Sequence, residues 1–262
     1  MKKIIGIVSS IFVAALAVAA EGKVVTQEVP YEHKDVKLVG YLAYDDSFKE
    51  KRPAVVLVHE WWGLNEYARD RARQLAAKGY VAFAVDMYGE GRVTTHPQQA
   101  SEWARMITGN VAGWQERANV GLEVLRKDPR VDPDRIAAIG YCFGGATVQQ
   151  MAYSGADLRG VVSFHGSLLP VQKEQVNRVK AKILILHGAS DPLIKEEQIQ
   201  AYVSAMEASG LDWQMIFYGG AKHSFTNPDA DKVGMDALGY SASADARSWA
   251  HMNVFFEEVF SK

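Results

Sequence analysis

The segment Arg135-Ile136-Ala137-Ala138-Ile139-Gly140-Tyr141-Cys142-Phe143-Gly144-Gly145-Ala146 decides how this chain is read. An apolar run ends in Gly-x-Cys-x-Gly-Gly and passes into a stretch with helical character. Strand, nucleophile, helix is the order of a sharp turn that presents a reactive side chain above a sheet in a strained backbone conformation. Strand and helix cross closely there, so a Cβ two residues before or after the nucleophile would collide. Gly140 and Gly144 occupy those two places, and Gly145 adds clearance. A helix starting near Phe143 directs free N–H groups and the positive end of its dipole at the sulfur, which favours the thiolate. The plainer reading, a small core cysteine on a glycine-rich turn, has to be weighed against what the rest of the chain supplies.

Working outward, apolar runs alternate with helical patterns. Residues 24–29 and 36–44 alternate in polarity around Glu32-His33-Lys34-Asp35 and predict an antiparallel hairpin. Continuous apolar runs at 54–59, 80–85, 136–141, 160–164, 182–187 and 213–218 predict parallel strands buried on both faces. Helices are predicted at 65–78, 97–107, 111–127, 143–154, 195–209 and 241–260. Such alternation makes a mostly parallel sheet of about eight strands, with the N-terminal antiparallel hairpin and helices on both faces. With the turn at Cys142, the expected class is α/β and the expected fold that of the α/β-hydrolases. Irregular stretches at 86–96 and 225–240 follow strand ends, on the side where open α/β sheets bind ligands.

A length of 262 residues and an apolar fraction of 48% suit one large domain. The formal net charge of −2, with no long basic run, gives no electrostatic reason for a nucleic-acid partner. Lys2 and Lys3 precede an apolar run from Ile4 to Ala20, and Ala17-Val18-Ala19 offers a cleavage site. Residues 1–20 therefore predict a signal peptide, followed by a single domain over 21–262 that is exported to a periplasmic or extracellular space. No stable membrane span is expected after cleavage, and a monomer is favoured. Cys142 is the one cysteine. It cannot form an intrachain disulfide, and an exported protein that keeps one thiol gives it a more credible reactive role.

The loops after two later strands supply partners. Leu186-His187-Gly188-Ala189-Ser190-Asp191-Pro192 puts an aspartate just past a buried strand, and Tyr218-Gly219-Gly220-Ala221-Lys222-His223 puts a histidine just past the last one. Nucleophile, acid, histidine is the chain order of the α/β-hydrolase arrangement. His223 would accept the thiol proton and Asp191 would fix the imidazole. Taken singly, Asp191 could be a turn or cap residue and His223 a surface histidine. His165 ends another strand and could line the pocket. No His/Cys/Glu spacing suggests a metal site, and no cofactor is implied.

Three motifs carry a closer likeness: His59-Glu60-Trp61-Trp62-Gly63-Leu64-Asn65, Gly140-Tyr141-Cys142-Phe143-Gly144-Gly145 and His223-Ser224-Phe225. With Asp191, they make residues 24–262 resemble the dienelactone hydrolase family (carboxymethylenebutenolidase-like). The resemblance implies that Glu60 sits beside the resting thiol and accepts its proton once substrate moves it. It also implies that the backbone N–H groups of Phe143 and Trp61 form an oxyanion hole. The family's two carboxylate-binding arginines are not reproduced. Asn227 stands at one place, and at the other Asp86-Met87-Tyr88-Gly89-Glu90-Gly91-Arg92 offers only a displaced Arg92. Asparagine cannot supply a bidentate charged contact, which argues against dienelactone itself. Trp61, Trp62, Tyr88 and Phe225 are expected at an aromatic pocket mouth. The function expected is cofactor-independent hydrolysis of a small-molecule ester or lactone. The alternatives are acyl transfer or thioester hydrolysis at the same residues, and a non-catalytic binding protein on this scaffold.

Overall fold

The computed structural model describes residues 23–261, so the expected signal peptide lies outside the described residues. Eight strands, β1 (Val24–His33), β2 (Val36–Asp45), β3 (Arg52–Val58), β4 (Val81–Val85), β5 (Val131–Tyr141), β6 (Gly160–Phe164), β7 (Lys182–Gly188) and β8 (Trp213–Tyr218), form one sheet in the order β1-β2-β4-β3-β5-β6-β7-β8. The hairpin β1–β2 and the β2–β4 pairing are antiparallel, and every other neighbour pair is parallel. This is the α/β-hydrolase architecture that the sequence pattern predicts. The helices are α1 (Glu66–Ala77), α2 (Pro97–Thr108), α3 (Val111–Arg126), α4 (Phe143–Tyr153), α5 (Lys173–Val176), α6 (Glu196–Ser209) and α7 (Ala242–Phe260), with a 3-10 turn at Ala230–Val233.

Strand alternation builds two core layers. Val56, Val58 and Ala138 point to the face covered by Leu122 of α3, Val148 of α4 and Tyr202 of α6, whereas Val55, Leu57 and Ile139 meet Ala72 of α1 and Phe256 of α7. Both faces are dry, which explains why the central strands read as unbroken apolar runs. Each fully buried Leu or Phe in these layers contributes about 1.5–3 kcal/mol. Helix ends follow local chemistry: Asn65 and Asn110 accept hydrogen bonds from Ala68 N–H and Gly113 N–H at the starts of α1 and α3, and Ser241 accepts one from Ala244 N–H at the start of α7.

Sheet order places the site. β5 lies inside the parallel part of the sheet, with β6, β7 and β8 following in turn, so the ends of these strands open on one edge. Register keeps those ends level: Tyr141 pairs with Phe164, and Gly188 with Tyr218. Residues immediately beyond them therefore gather despite their separation in sequence.

Candidate active site

Cys142 lies between β5 and α4 with φ 54° and ψ −114°. Such a φ is rare outside glycine and is held only where surroundings over-determine it. The two flanking glycines do that by letting the chain pass through itself closely. A Cβ on Gly140 would lie 2.0 Å from the Gly144 carbonyl oxygen, and one on Gly144 would lie 2.1 Å from the Val58 carbonyl oxygen. The side chain of Cys142 is half-buried, and it is the N-cap residue of α4. Phe143 is the first residue of that helix, so its N–H has no partner within the helix.

The structure brings Cys142, His223 and Asp191 together. His223 Nδ1 is 2.7 Å from Asp191 Oδ2, both side chains being buried, and the ring is near enough to Cys142 for the sulfur to bear on its charge. With Nδ1 committed to the carboxylate, Nε2 is the nitrogen left for the sulfur. Asp191 is aimed by its own loop, since its Oδ1 accepts a hydrogen bond from Leu193 N–H at 2.9 Å. Burial opposes a charge on His223, but Cys142 and Asp191 beside it outweigh that, holding its pKa well above that of an ordinary histidine. The ring is thus prepared to carry a proton while facing the sulfur.

Glu60 is buried, and both its oxygens are engaged by the loop that carries His223 rather than by the sulfur. Ser224 Oγ lies 2.8 Å from Oε1, and Asn227 Nδ2 donates to Oε2 at 2.7 Å. Asp229 N–H donates to Asn227 Oδ1 at 3.0 Å, which fixes the amide orientation and makes Nδ2 the end that meets Glu60. Burial raises the Glu60 pKa, against the lowering effect of Ser224, Asn227 and His223. Asn227, expected at the substrate pocket, donates its amide to Glu60 and also stands on the wall of a cavity. His59 braces the same turn. Its Nδ1 pairs with the Glu60 carbonyl, and its Nε2 accepts from Met87 N–H at 3.3 Å.

Other expected pocket residues divide. Tyr88 donates its hydroxyl to the Trp61 carbonyl at 3.0 Å, and its ring lies 5.7 Å from that of Phe143 and 5.5 Å from that of Trp103. The Asp86 carboxylate holds that loop by accepting from the N–H groups of Tyr88, Gly89 and Gly91. Trp61 is half-buried, its ring 4.8 Å from that of Trp62 between centroids. The Arg92 guanidinium pairs with Glu90 at 3.0 Å, and the side chain is 47% exposed. Phe225 is fully buried against Tyr218 and His165, and so forms part of the core and not of a pocket mouth. His165 is also fully buried, with both ring nitrogens bonded to protein, and cannot line a pocket. A cavity of about 410 Å³ opens between Trp62, Asn65, Tyr67, Thr94, Asn227 and Val233; Cys142 and His223 are not on its wall. Among the described residues, no group of three or more His, Cys, Asp or Glu could hold a metal ion, and no helix is long and apolar enough to cross a membrane.

The model of the "Dienelactone hydrolase family" matches residues 38–260. The chain belongs to the dienelactone hydrolase family. Family membership makes it a carboxylic ester hydrolase, and solved structures agree. A dienelactone hydrolase-like promiscuous phosphotriesterase from metagenomic libraries is 38% identical, covering 91% of this chain and 99% of that one, with a TM-score of 0.88. A structure named m3DLH is 42% identical over the same shares, also with a TM-score of 0.88. "Protein usf" of Aquifex pyrophilus is 25% identical over 243 residues, covering 90% of this chain and 99% of its own length.

Sequence reasoning gave no role of their own to Ser224, Thr226, Tyr67 and Asp86. Asp86 had a local signal, an aspartate ending a strand before a glycine-rich loop, where its side chain can bond the backbone ahead of it. Thr226 and Tyr67 had none, because their roles lie in contacts between distant segments.

Proposed function

We propose that this protein hydrolyses neutral esters or lactones by covalent catalysis at Cys142, with no cofactor. The observation that carries the reading is the buried His223 ring, hydrogen-bonded to Asp191 and set beside Cys142 at a strained turn. His223 takes the thiol proton, and the sulfur attacks the substrate carbonyl. The N–H groups of Phe143 and Trp61 receive the developing oxyanion; one such donor is typically worth about 3 kcal/mol. Collapse breaks the C–O bond, the leaving oxygen takes the proton from His223, and a thioester remains on Cys142. Water, deprotonated by His223, then releases the acid and regenerates the thiol. Asp191 keeps the Nδ1 proton in place throughout. For Glu60 to accept the thiol proton, as the family resemblance suggests, it must first leave Ser224 and Asn227.

A neutral substrate is favoured because neither expected anchor offers a free cation: Arg92 pairs with Glu90, and Asn227 is uncharged and bonded to Glu60. Trp61, Tyr88 and Trp103 favour an apolar or aromatic group beside the reacting bond. The leader pattern at residues 1–20 supports action outside the cytoplasm. Transfer of the acyl group to an alcohol or amine uses the same thioester and would appear as new ester or amide when such acceptors are added. A second reading, hydrolysis of phosphotriesters, is favoured by the 38% identical relative named a promiscuous phosphotriesterase.

The test is a panel of p-nitrophenyl esters, small lactones and an aryl dialkyl phosphate, with wild type beside Cys142→Ala. Rapid quenching and intact mass should show an acyl adduct on wild type and none on the variant. Equal rates for the two proteins on every hydrolysed substrate would remove Cys142 from the mechanism.

A further inference from the structure

We infer that His165 is a positioning residue that ties the backbone of Cys142 to the loop carrying His223, acting through Thr226. The inference rests on the reading of Cys142 as nucleophile. His165 directly follows β6, with φ 40°, a second non-glycine residue held at positive φ beside the turn. Its own N–H donates to the Leu186 carbonyl at 2.8 Å. Its Nδ1 accepts from Cys142 N–H at 3.2 Å, a donor shared with the Phe164 carbonyl at 3.0 Å.

That acceptor role settles the tautomer. With Nδ1 accepting, the neutral ring carries its proton on Nε2. Nε2 lies 2.7 Å from Thr226 Oγ1 and donates to it. Thr226 is itself fixed from two directions: Tyr67 Oη is 2.6 Å from Oγ1, and Arg71 Nη2 donates to its carbonyl at 2.7 Å. Thr226 stands three residues after His223. One imidazole therefore spans the nucleophile's amide and the loop of the proton acceptor, the two parts whose separation sets the sulfur–imidazole contact.

Both ring nitrogens of His165 are bonded to protein, so it has no free nitrogen with which to move a proton. Burial lowers its pKa well below the ordinary histidine range, and the neighbouring His223 ring, 5.3 Å away between centroids, disfavours a second charge further. The ring stays neutral while His223 is charged, so the brace keeps its donor and its acceptor through a turnover.

The test uses Thr226→Val, which keeps shape but removes the oxygen, with Thr226→Ser, wild type and Cys142→Ala. Two quantities are measured: kcat and KM for p-nitrophenyl acetate, and the pH dependence of Cys142 alkylation by iodoacetamide, followed by intact mass. Thr226→Val should lower kcat by about tenfold or more, since sub-ångström misplacement suffices for such losses, with KM changed less than about twofold. Its alkylation profile against pH should differ from that of wild type, because the sulfur–imidazole contact that governs thiol reactivity is displaced. Thr226→Ser should restore at least about half of the lost activity. Wild-type kcat and alkylation profile in Thr226→Val, or identical behaviour of the Ser and Val variants, would overturn the inference. If Thr226→Val does not fold, His165→Gln, which retains a donor near the Nε2 position and loses the Nδ1 acceptor, is judged by the same two measurements. Ester hydrolysis that persists in Cys142→Ala would instead sink the reading of the nucleophile, and the alkylation profiles would still report on the brace.

Discussion

Gly140→Ala is the sharpest perturbation of the turn. The added Cβ would sit 2.0 Å from the Gly144 carbonyl oxygen and 2.8 Å from Gly145 N, against an ordinary contact distance of 3.4 Å or more. The obstacle is backbone on both counts, so no side-chain rotation relieves it. Strand and helix must separate by about 1 Å, and overpacking of that kind costs about 1–3 kcal/mol. Stability should therefore fall without being lost, because the two dry layers on either side of the sheet are untouched. Activity should fall much further. Cys142 lies between the two displaced segments, and a shift of about 1 Å can cost roughly 100-fold in rate. The assay is kcat for p-nitrophenyl acetate at a temperature well below the thermal midpoint. Circular dichroism establishes that the variant is folded, and iodoacetamide counts reactive thiol. A folded Gly140→Ala protein with kcat within about threefold of wild type would refute the argument that the close crossing aims the sulfur.

Asp191→Asn should leave the fold in place and lower kcat by about 100-fold or more, because an amide can donate to Nδ1 and favour the wrong tautomer; a bell-shaped pH–rate profile indistinguishable from wild type would count against it. Glu60→Gln tests a different term. A buried carboxylate whose pKa is raised binds its proton more tightly when folded than when unfolded, so ionisation destabilises the native state above its folded pKa. The Gln variant should consequently melt no lower than wild type at pH 7, with any advantage vanishing as pH falls below the ordinary glutamate range. Slower acylation with the fold retained would support a role for Glu60 in thiol activation, and unchanged acylation rates would exclude it.

Much of this architecture was readable because it depends on local pattern. β3, β4, β6 and β7 are apolar on both faces and announced themselves as short continuous runs. β5 begins at Val131, five residues before the apolar run starts, because Asp132-Pro133-Asp134-Arg135 hides its early part; its pairing with β3 shifts register there, between Arg52 and Ala54. The four-residue α5 and the 3-10 turn at Ala230–Val233 are too short for periodicity to register. At the site, Cys142, Asp191 and His223 were visible because each follows a strand end. His165, expected to line the pocket, is instead buried with both ring nitrogens bonded to protein. A polar residue near a site looks available to substrate until its partner is known, and the partner of Asn227 lies 167 residues away at Glu60. Arg92 pairs with Glu90, two residues earlier, a contact that its place in the loop does not announce.

The segment from His223 to Asn227 has a bearing on how such a catalyst can diversify. Its residues all face inward: His223 on Asp191, Ser224 and Asn227 on Glu60, Phe225 in the core layer that holds Ile139 and Phe256, Thr226 on His165. An insertion or deletion here would break several of these bonds at once, so the segment has little room to vary in length. The stretch from Asp86 to His96 is pinned mainly at its start, and its later residues are more open to solvent. Changes in substrate range should accumulate in that second loop, leaving the chemistry fixed while the doorway is rebuilt.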